Sequence, residues 1–149
     1  MSTHHQLYYH FVFSTKNRSP YLQPETQATI FEYLGGTIRG LDAIPVCIGG
    51  WVDNVHILAK LRPTHCICDF LQKLKSNSSK HFNEESGLIR KFAWQEGYGA
   101  FTVSPNQTEG VIRYIQNQES HHRKETFQKE YVRMLDLAGV EYDPEYLWI

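Results

Sequence analysis

Residues 43–61 read AIPVCIGGWVDNVHILAKL, and this stretch decides the fold. Two runs rich in β-branched and apolar residues, Ala43 to Gly49 and Val52 to Leu61, lie on either side of the Gly49-Gly50 pair. Runs of this composition separated by glycines predict two strands joined as a hairpin around the glycine pair. The rest of the chain supplies the elements before and after this hairpin.

A strand, a helix, a second helix and a last strand are predicted around the hairpin. Leu7 to Thr15 is aromatic and β-branched, which indicates a strand. Apolar residues recur at helical spacing after Pro24 and again after Pro63-Thr64, and Tyr98 to Val103 is a short strand-like run. The resulting order is that of the split βαβ plan. We therefore predict an α+β, ferredoxin-like antiparallel sheet with helices on one face and further C-terminal helices.

The C-terminal part predicts two more helices. Ser104-Pro105-Asn106-Gln107 is a favourable helix start, because serine can cap, proline suits the first helical position and glutamine completes a capping box. This helix spans about residues 105–122, and a last helix and tail occupy about residues 126–149. Because the chain shows no repeats, low-complexity tracts or linker, we predict one domain over residues 1–149.

The charge of the chain is nearly balanced but unevenly distributed. A net charge of −1 provides no overall positive field to attract nucleic acid. Residues 1–82 hold 8 Lys/Arg against 5 Asp/Glu, whereas residues 83–149 hold 7 against 11. A polyanionic partner is therefore expected at the N-terminal part. The candidates for contacts with DNA phosphates are Lys16, Arg18, Lys73, Lys75 and Lys80.

Hydropathy and cysteine usage predict a cytoplasmic protein without a membrane partner. The longest apolar runs are far too short to cross a bilayer, and the N-terminus lacks the apolar core of a signal peptide. The three cysteines are an odd number and form no disulfide framework. His65-Cys66-Ile67-Cys68 lacks the second ligand pair of a structural zinc site, so we expect ordinary thiols there.

Two short segments have the residues and spacing of a reactive site. Strand side chains alternate, so Asn54 and His56 point to one face while Val55 points to the other. Tyr114 and Gln118 are four residues apart on a predicted helix and share one of its faces. Each pair by itself is compatible with ordinary packing or surface polarity; their combination with the ferredoxin-like order favours a site.

The residues around both pairs resemble one known family. GGWVDNVHIL over residues 49–58 resembles the HUH segment (His-hydrophobic-His) of the single-tyrosine DNA transposases. These include the transposases of small single-strand insertion sequences and the REP-associated tyrosine transposases. Four further stretches are similar to the same family and extend the resemblance over nearly the whole chain: FVFSTKNR (11–18), LKSNSSK (74–80), YIQNQESHH (114–122) and EYDPEYLW (141–148).

This resemblance implies a function and roles for individual residues. Tyr114 matches the family's nucleophile, His56 the second HUH histidine and Gln118 the additional metal ligand. The implied reaction cleaves and rejoins single-stranded DNA at hairpin ends through a 5′-phosphotyrosine, with Mg²⁺ or Mn²⁺ polarising the phosphate. The family also implies a homodimer in which the tyrosine helix can serve the partner's site.

One residue departs from the family. Asn54 stands where the first HUH histidine is expected, and its carbonyl oxygen suits hard Mg²⁺ or Mn²⁺ but replaces an imidazole nitrogen. Either Asn54, His56 and Gln118 form an oxygen-richer metal site, or the protein is a catalytically impaired relative that binds DNA hairpins without cutting them. We favour the active enzyme, because hard cations accept such ligands.

His121 and His122 are expected at a solvent-facing helix end, where histidine suits the helix dipole, rather than at the metal or phosphate.

An RNA-binding module with the same element order is the other class of function to weigh, and it predicts exposed aromatic residues on the central strands, such as Tyr9, Phe11 and Phe13.

Overall fold

The computed structural model describes residues 2–85 and 91–149 and confirms the predicted order of strands and helices. The ends of the elements lie within a few residues of the predicted ones. The elements are β1 (Leu7–Ser14), a 3₁₀ turn (Lys16–Arg18), α1 (Pro24–Gly40), β2 (Ile44–Gly50), β3 (Asn54–Leu61), α2 (Ile67–Glu85), β4 (Gly99–Val103), a second 3₁₀ turn (Pro105–Gln107), α3 (Thr108–Gln116), α4 (Gln118–His122) and α5 (Phe127–Leu137).

The four strands form one antiparallel sheet in the order β2-β3-β1-β4. This is the ferredoxin-like arrangement that the sequence predicts. Strands β1 and β3 occupy the centre, with Val12 opposite His56 and Ser14 opposite Asn54. The two candidate ligands on β3 therefore lie in the middle of the sheet, where neighbouring strands on both sides fix their positions.

The β2–β3 hairpin is present, but the glycine pair does not form its turn. Gly49 and Gly50 belong to β2 and pair with His56 and Val55, and the turn comprises residues 51–53. A Cβ atom on Gly50 would lie 2.2 Å from the Asn54 carbonyl oxygen. The glycines are therefore needed for close approach of backbone to backbone, and the predicted turn position is wrong by two residues.

One face of the sheet packs under α1 and α2 to form the main core. Phe11, Phe13, Val55 and Ile57 point into it and are fully buried against residues of both helices. Strand alternation places every second residue of β1 and β3 on this face. The RNA-binding hypothesis required exposed aromatics on β1, so the burial of Phe11 and Phe13 contradicts it.

The other face of the sheet is covered by the three C-terminal helices. Val12 packs with Phe127 and Tyr131 of α5, while Leu58 packs with Ile115 of α3. His10, Asn54 and His56 belong to this same face by strand alternation, and all three are buried. The covering helices thus bring the C-terminal third of the chain onto the candidate site.

The segment that follows β4 differs from the single capped helix that the sequence predicts. Ser104 makes no side-chain capping bond, because the turn closes through its backbone oxygen, which accepts from Gln107 N at 2.8 Å. A 3₁₀ turn therefore precedes α3. The helix is also interrupted at Asn117 (φ −97°, ψ 20°), so Tyr114 and Gln118 lie on two successive short helices. In the described residues, no helix is both long enough and apolar enough to cross a membrane.

Candidate active site

Asn54 and His56 form the strand side of the site. Both are 0% exposed. The Asn54 amide nitrogen donates to the Asp53 carboxylate at 2.7 Å, which orients the side chain. The Asn54 Oδ1 atom is buried and has no hydrogen-bond partner within residues 2–85 and 91–149. An acceptor oxygen left in this state costs roughly 1–3 kcal/mol unless something else binds it.

Tyr114 and Gln118 form the helix side, and the helix interruption does not separate them. The Gln118 side-chain nitrogen Nε2 donates to the Tyr114 carbonyl oxygen at 3.4 Å, so the Gln118 side chain folds back toward Tyr114. The Tyr114 hydroxyl donates to the carboxylate of Glu130, and Gln118 Nε2 donates to the same carboxylate oxygen at 3.2 Å. The predicted pairing of Tyr114 with Gln118 is thus present, with Glu130 as their common partner.

Glu130 of α5 joins the two sides and is the residue that the sequence analysis missed. Its Oε1 atom lies 3.0 Å from His56 Nε2 and 3.3 Å from His122 Nε2, and its side chain is 0% exposed. Burial by itself raises the pKa of Glu130, but hydrogen bonds from His122, His56 and Tyr114 outweigh burial and hold the pKa well below its ordinary value. The site therefore contains a buried carboxylate that stays ionised.

His10 of β1 extends this cluster beyond His56. His10 Nε2 is 2.9 Å from His56 Nδ1. Burial, reinforced by His56 and opposed by Glu130, lowers the pKa of His10 to about 3, so its ring is neutral at neutral pH. When His56 Nε2 donates to Glu130, Nδ1 must accept from His10. When Nε2 binds a cation instead, Nδ1 carries the proton and donates to His10, the usual outer partner of a ligating histidine.

The expectation for His122 is wrong. Its side chain is only 3% exposed, and Nε2 lies 3.1 Å from Gln118 Oε1 and 3.4 Å from Asn54 Nδ2. The cause is Glu130 of α5, whose Oε1 atom lies 3.3 Å from His122 Nε2. His121 is also drawn inward, with its ring 4.6 Å from that of Tyr114 between centroids.

The reactive oxygen of Tyr114 has a second polar neighbour. Arg133, one turn after Glu130 on α5, donates to the Tyr114 hydroxyl at 3.3 Å and to Glu125 at 2.6 Å. Burial, then the hydrogen bond and charge of Glu130, raise the pKa of Tyr114 well above its ordinary value, and Arg133 opposes this rise. The phenol is consequently protonated in the DNA-free protein, and Arg133 is placed to stabilise its ionised form.

An open cleft of about 680 Å³ leads to Tyr114. Its floor and walls include Tyr114, Arg113 and Arg133, together with apolar side chains such as Phe101 and Met134. Two cations beside apolar and aromatic groups suit a nucleic-acid strand, because phosphates bind the cations and unpaired bases pack on the apolar surface. This cleft leaves Tyr114 accessible to a bound strand.

The five basic residues predicted to contact DNA do not surround Tyr114. Lys73 and Lys80 are exposed on α2, which covers the opposite face of the sheet, and Lys16 is exposed after β1. The Arg18 guanidinium lies 5.4 Å from the centre of the Trp148 ring. Lys75 donates to three backbone carbonyls of residues 95–97 at 2.6–3.2 Å, so its ammonium group holds that loop.

The donor set suits a hard divalent cation. Asn54 Oδ1 is a buried oxygen with no partner in the described part of the chain, His56 and Gln118 offer one nitrogen and one oxygen, and Glu130 adds a negative charge. Oxygen-rich sets of this kind favour Mg²⁺ or Mn²⁺ over softer metals. Elsewhere in the described residues, Cys66, Cys68 and Asp69 place their donor atoms within 4.8 Å of one another, but all three are exposed.

A ferredoxin-like sheet with a tyrosine helix beside a buried Asn/His strand pair is the arrangement that the resemblance to the single-tyrosine transposases implies. The family follows directly from comparison of sequences. The chain belongs to the IS200-like transposase family: the family profile, described as "Transposase IS200 like", matches residues 3–118. The resemblance found from the sequence alone is thereby confirmed.

Individual relatives agree with this assignment. The chain is similar to the ISDra2 transposase TnpA of Deinococcus radiodurans, with 30% identity over 128 residues that cover 81% of this chain and 88% of the relative. It is also similar to the crystal structure of a candidate transposase from Deinococcus radiodurans R1, with a TM-score of 0.65 and 27% identity over 79% of this chain and 95% of that one.

A third similarity concerns the fold alone. The structure of a REP-associated tyrosine transposase, solved bound to a REP hairpin, has a TM-score of 0.59 and 16% identity over 96% of this chain and 93% of that one. Its coverage reaches beyond the segment that the family profile matches. The overall architecture, including the C-terminal helices, is therefore shared with a protein of the same class.

Proposed function

We propose that this transposase cleaves and rejoins single-stranded DNA at hairpin ends, with Tyr114 as the nucleophile and a 5′-phosphotyrosine as the intermediate. The observation that carries the proposal is the convergence of Tyr114, Gln118 and His56 on one buried carboxylate, at the inner end of a cleft with two cations. Glu130 can accept the proton of this tyrosine, Arg133 can stabilise its ionised form, and the cleft admits a DNA strand.

The chain's own groups suggest how the reaction proceeds. Glu130 Oε2 is the nearest acceptor for the phenol proton, and Arg133 stabilises the oxygen that has lost it. The Tyr114 oxygen then bonds to the scissile phosphorus, and the bond between phosphorus and O3′ of the upstream nucleotide breaks. That oxygen takes up a proton and becomes a free 3′-hydroxyl, and the same steps in reverse join a new strand.

Asn54, His56 and Gln118 are the proposed residues for holding Mg²⁺ or Mn²⁺. When bound, such a cation polarises a phosphoryl oxygen and neutralises charge that develops on the phosphate. His10 orients His56 through its Nδ1 atom, and Asp53 orients Asn54 through the amide. These partners fix the donor atoms before substrate arrives, which limits the reorganisation needed at the moment of reaction.

The proposed substrate surface and assembly follow from the family and the site. The cleft beside Tyr114 receives the single strand, and the exposed cations Lys16, Lys73 and Lys80 contact phosphates of the hairpin away from the site. A homodimer and a single domain over residues 1–149 are further parts of the proposal. Within one chain Tyr114 already reaches the same carboxylate as His56, so one protomer holds both halves of a site.

Formation of a covalent protein–DNA adduct tests the proposal. Wild-type protein is incubated with a labelled single-stranded hairpin and Mg²⁺ or Mn²⁺, and adducts are resolved on a denaturing gel. We expect an adduct that requires metal and is lost in Tyr114→Phe. Tyr146→Phe is the matched control, since Tyr146 is 64% exposed in the C-terminal tail. Absence of any adduct despite tight hairpin binding would refute the proposed activity.

Asn54 favours a second candidate function, that of a DNA-hairpin-binding protein with impaired catalysis. Loss of an imidazole ligand weakens a metal site, and Asn54 stands where the family has histidine. If this account holds, wild type binds the hairpin without forming an adduct, and Asn54→His gains adduct formation. Robust adduct formation by wild type excludes it.

A further inference from the structure

We propose that Glu130, with His122 beside it, is a ligand of the divalent cation and supplies the charged donor that Asn54 does not. The inference concerns the site of the proposed function and rests on it. Both residues come from the helices that follow the tyrosine helix. They also lie after Gln118, where the match to the family profile ends, so the profile assigns them no role.

The spacing of donor atoms around Glu130 is that of neighbouring ligands. In an octahedral Mg²⁺ site with bonds of about 2.1 Å, adjacent ligand atoms are about 3.0 Å apart. Glu130 Oε1 is 3.0 Å from His56 Nε2 and 3.3 Å from His122 Nε2, and His122 Nε2 is 3.1 Å from Gln118 Oε1. Four potential ligand atoms from β3, α4 and α5 are thus connected edge to edge.

The two imidazoles beside Glu130 are farther apart than two ligands of one small cation. In the described residues, the donor atoms of His56, His122 and Glu130 do not all lie within 4.8 Å of one another, which places the imidazoles on different sides of the carboxylate. Two ligands opposite each other on one ion of this size are about 4.2 Å apart. Binding of one cation by both imidazoles would therefore bring their Nε2 atoms closer by about 0.6–2.1 Å, since the two contacts with Oε1 of 3.0 and 3.3 Å limit their present separation to 6.3 Å.

The charge of the cluster calls for a cation. The Glu130 side chain is 0% exposed, and the ion pairs found for it in the described residues are with histidines alone. Arg133 contacts Tyr114 and Glu125 instead. A buried carboxylate without a fixed positive partner is costly, and a divalent ion bonded to it removes that cost.

An independent observation points to the same ion. Asn54 Oδ1 is fully buried with no hydrogen-bond partner in the described ranges, although the nitrogen of the same amide donates to Asp53 and lies 3.4 Å from His122 Nε2. A buried, unpartnered oxygen on the amide that contacts His122 is a further donor for a hard cation. Glu130 then offsets the imidazole that Asn54 replaces.

Titration of Mn²⁺ into the full-length protein without DNA, followed by calorimetry, tests the assignment. We expect Glu130→Gln to weaken Mn²⁺ binding at least about tenfold, because ligand charge sets the affinity of such sites. Glu119→Gln is the matched control: Glu119 is 61% exposed and pairs with Arg123 on the surface of the same helix as Gln118, so its Kd should equal that of wild type. Glu130→Asp keeps the charge and should retain part of the affinity.

The outcomes separate this inference from the proposed function. Unchanged Mn²⁺ affinity in Glu130→Gln, or tighter binding, overturns the assignment, as does failure of wild type to bind Mn²⁺. Metal-free melting curves show whether each variant is folded. If the Gln variant does not fold, a folded Glu130→Asp variant that binds no Mn²⁺ overturns the assignment. If Mn²⁺ binding depends on Glu130 but wild type forms no DNA adduct, the metal site stands and the catalytic proposal fails.

Discussion

Gly49→Ala should displace the tyrosine helix without altering any group of the site. Gly49 pairs with His56 across the sheet, and α3 packs directly on it. A Cβ atom at this position would lie 2.7 Å from the Ile115 carbonyl oxygen and 2.8 Å from Ile115 Cγ2. Because Ile115 follows Tyr114, any movement that relieves this contact also moves Tyr114, the proposed nucleophile.

The size of the effect follows from these distances. Ordinary van der Waals contact begins at 3.4 Å, so the Ile115 oxygen must retreat by about 0.7 Å, the difference between 3.4 and 2.7 Å. Misplacement of a reacting group by about 1 Å can reduce a rate by about 100-fold, so we expect adduct formation to slow by roughly 10- to 100-fold. Overpacking of this kind costs about 1–3 kcal/mol of unfolding free energy.

The assay compares adduct formation rates on the same single-stranded hairpin, at a temperature where melting curves show each variant to be folded. Gly36→Ala is the matched control, because nothing lies within 4 Å of a Cβ there and the residue is exposed in the middle of α1. It should leave the rate unchanged and stabilise the protein by about 0.5–1 kcal/mol. A Gly49→Ala protein with the rate and stability of wild type would refute the reasoning that this contact positions Tyr114.

Two further substitutions test individual contacts. Lys75→Met should lower the unfolding free energy by about 2–3 kcal/mol in denaturant titrations, because three carbonyls of residues 95–97 lose their donor. Its affinity for the hairpin should stay unchanged. Weaker hairpin binding by the folded variant would show that Lys75 contacts DNA. Arg133→Met should slow adduct formation and move the rising part of its pH–rate profile to higher pH. The reason is that the Arg133 guanidinium lowers the pKa of Tyr114, whereas burial and Glu130 raise it. Arg133→Lys should restore part of the rate, and an unshifted profile in Arg133→Met would contradict the role of the charge.

Sequence periodicity was sufficient for the architecture and for each half of the site. Alternation along β3 places Asn54 and His56 on one face, since every strand obeys it whatever surrounds the strand. The spacing of Tyr114 and Gln118 survives the interruption at Asn117, because Asn117 N still donates to Arg113 O at 3.1 Å and the Gln118 side chain reaches back to the Tyr114 carbonyl oxygen. The wrongly predicted turn at Gly49-Gly50 shows the limit of local rules. Glycine is required at residue 49 because Ile115 approaches its backbone closely, and the neighbouring residues in sequence do not reveal this contact.

By itself, then, the sequence determined the ferredoxin-like order, the family resemblance and the residues of the two pairs. Only the tertiary structure decided what joins the pairs. Glu130 is 74 residues from His56 along the chain, and no local pattern connects them. The contact exists because Phe127 and Tyr131 pack α5 on the second face of the sheet and turn Glu130 inward. Long-range packing of this kind depends on the shape of the whole sheet, whereas strand and helix periodicity depend on neighbours in sequence alone.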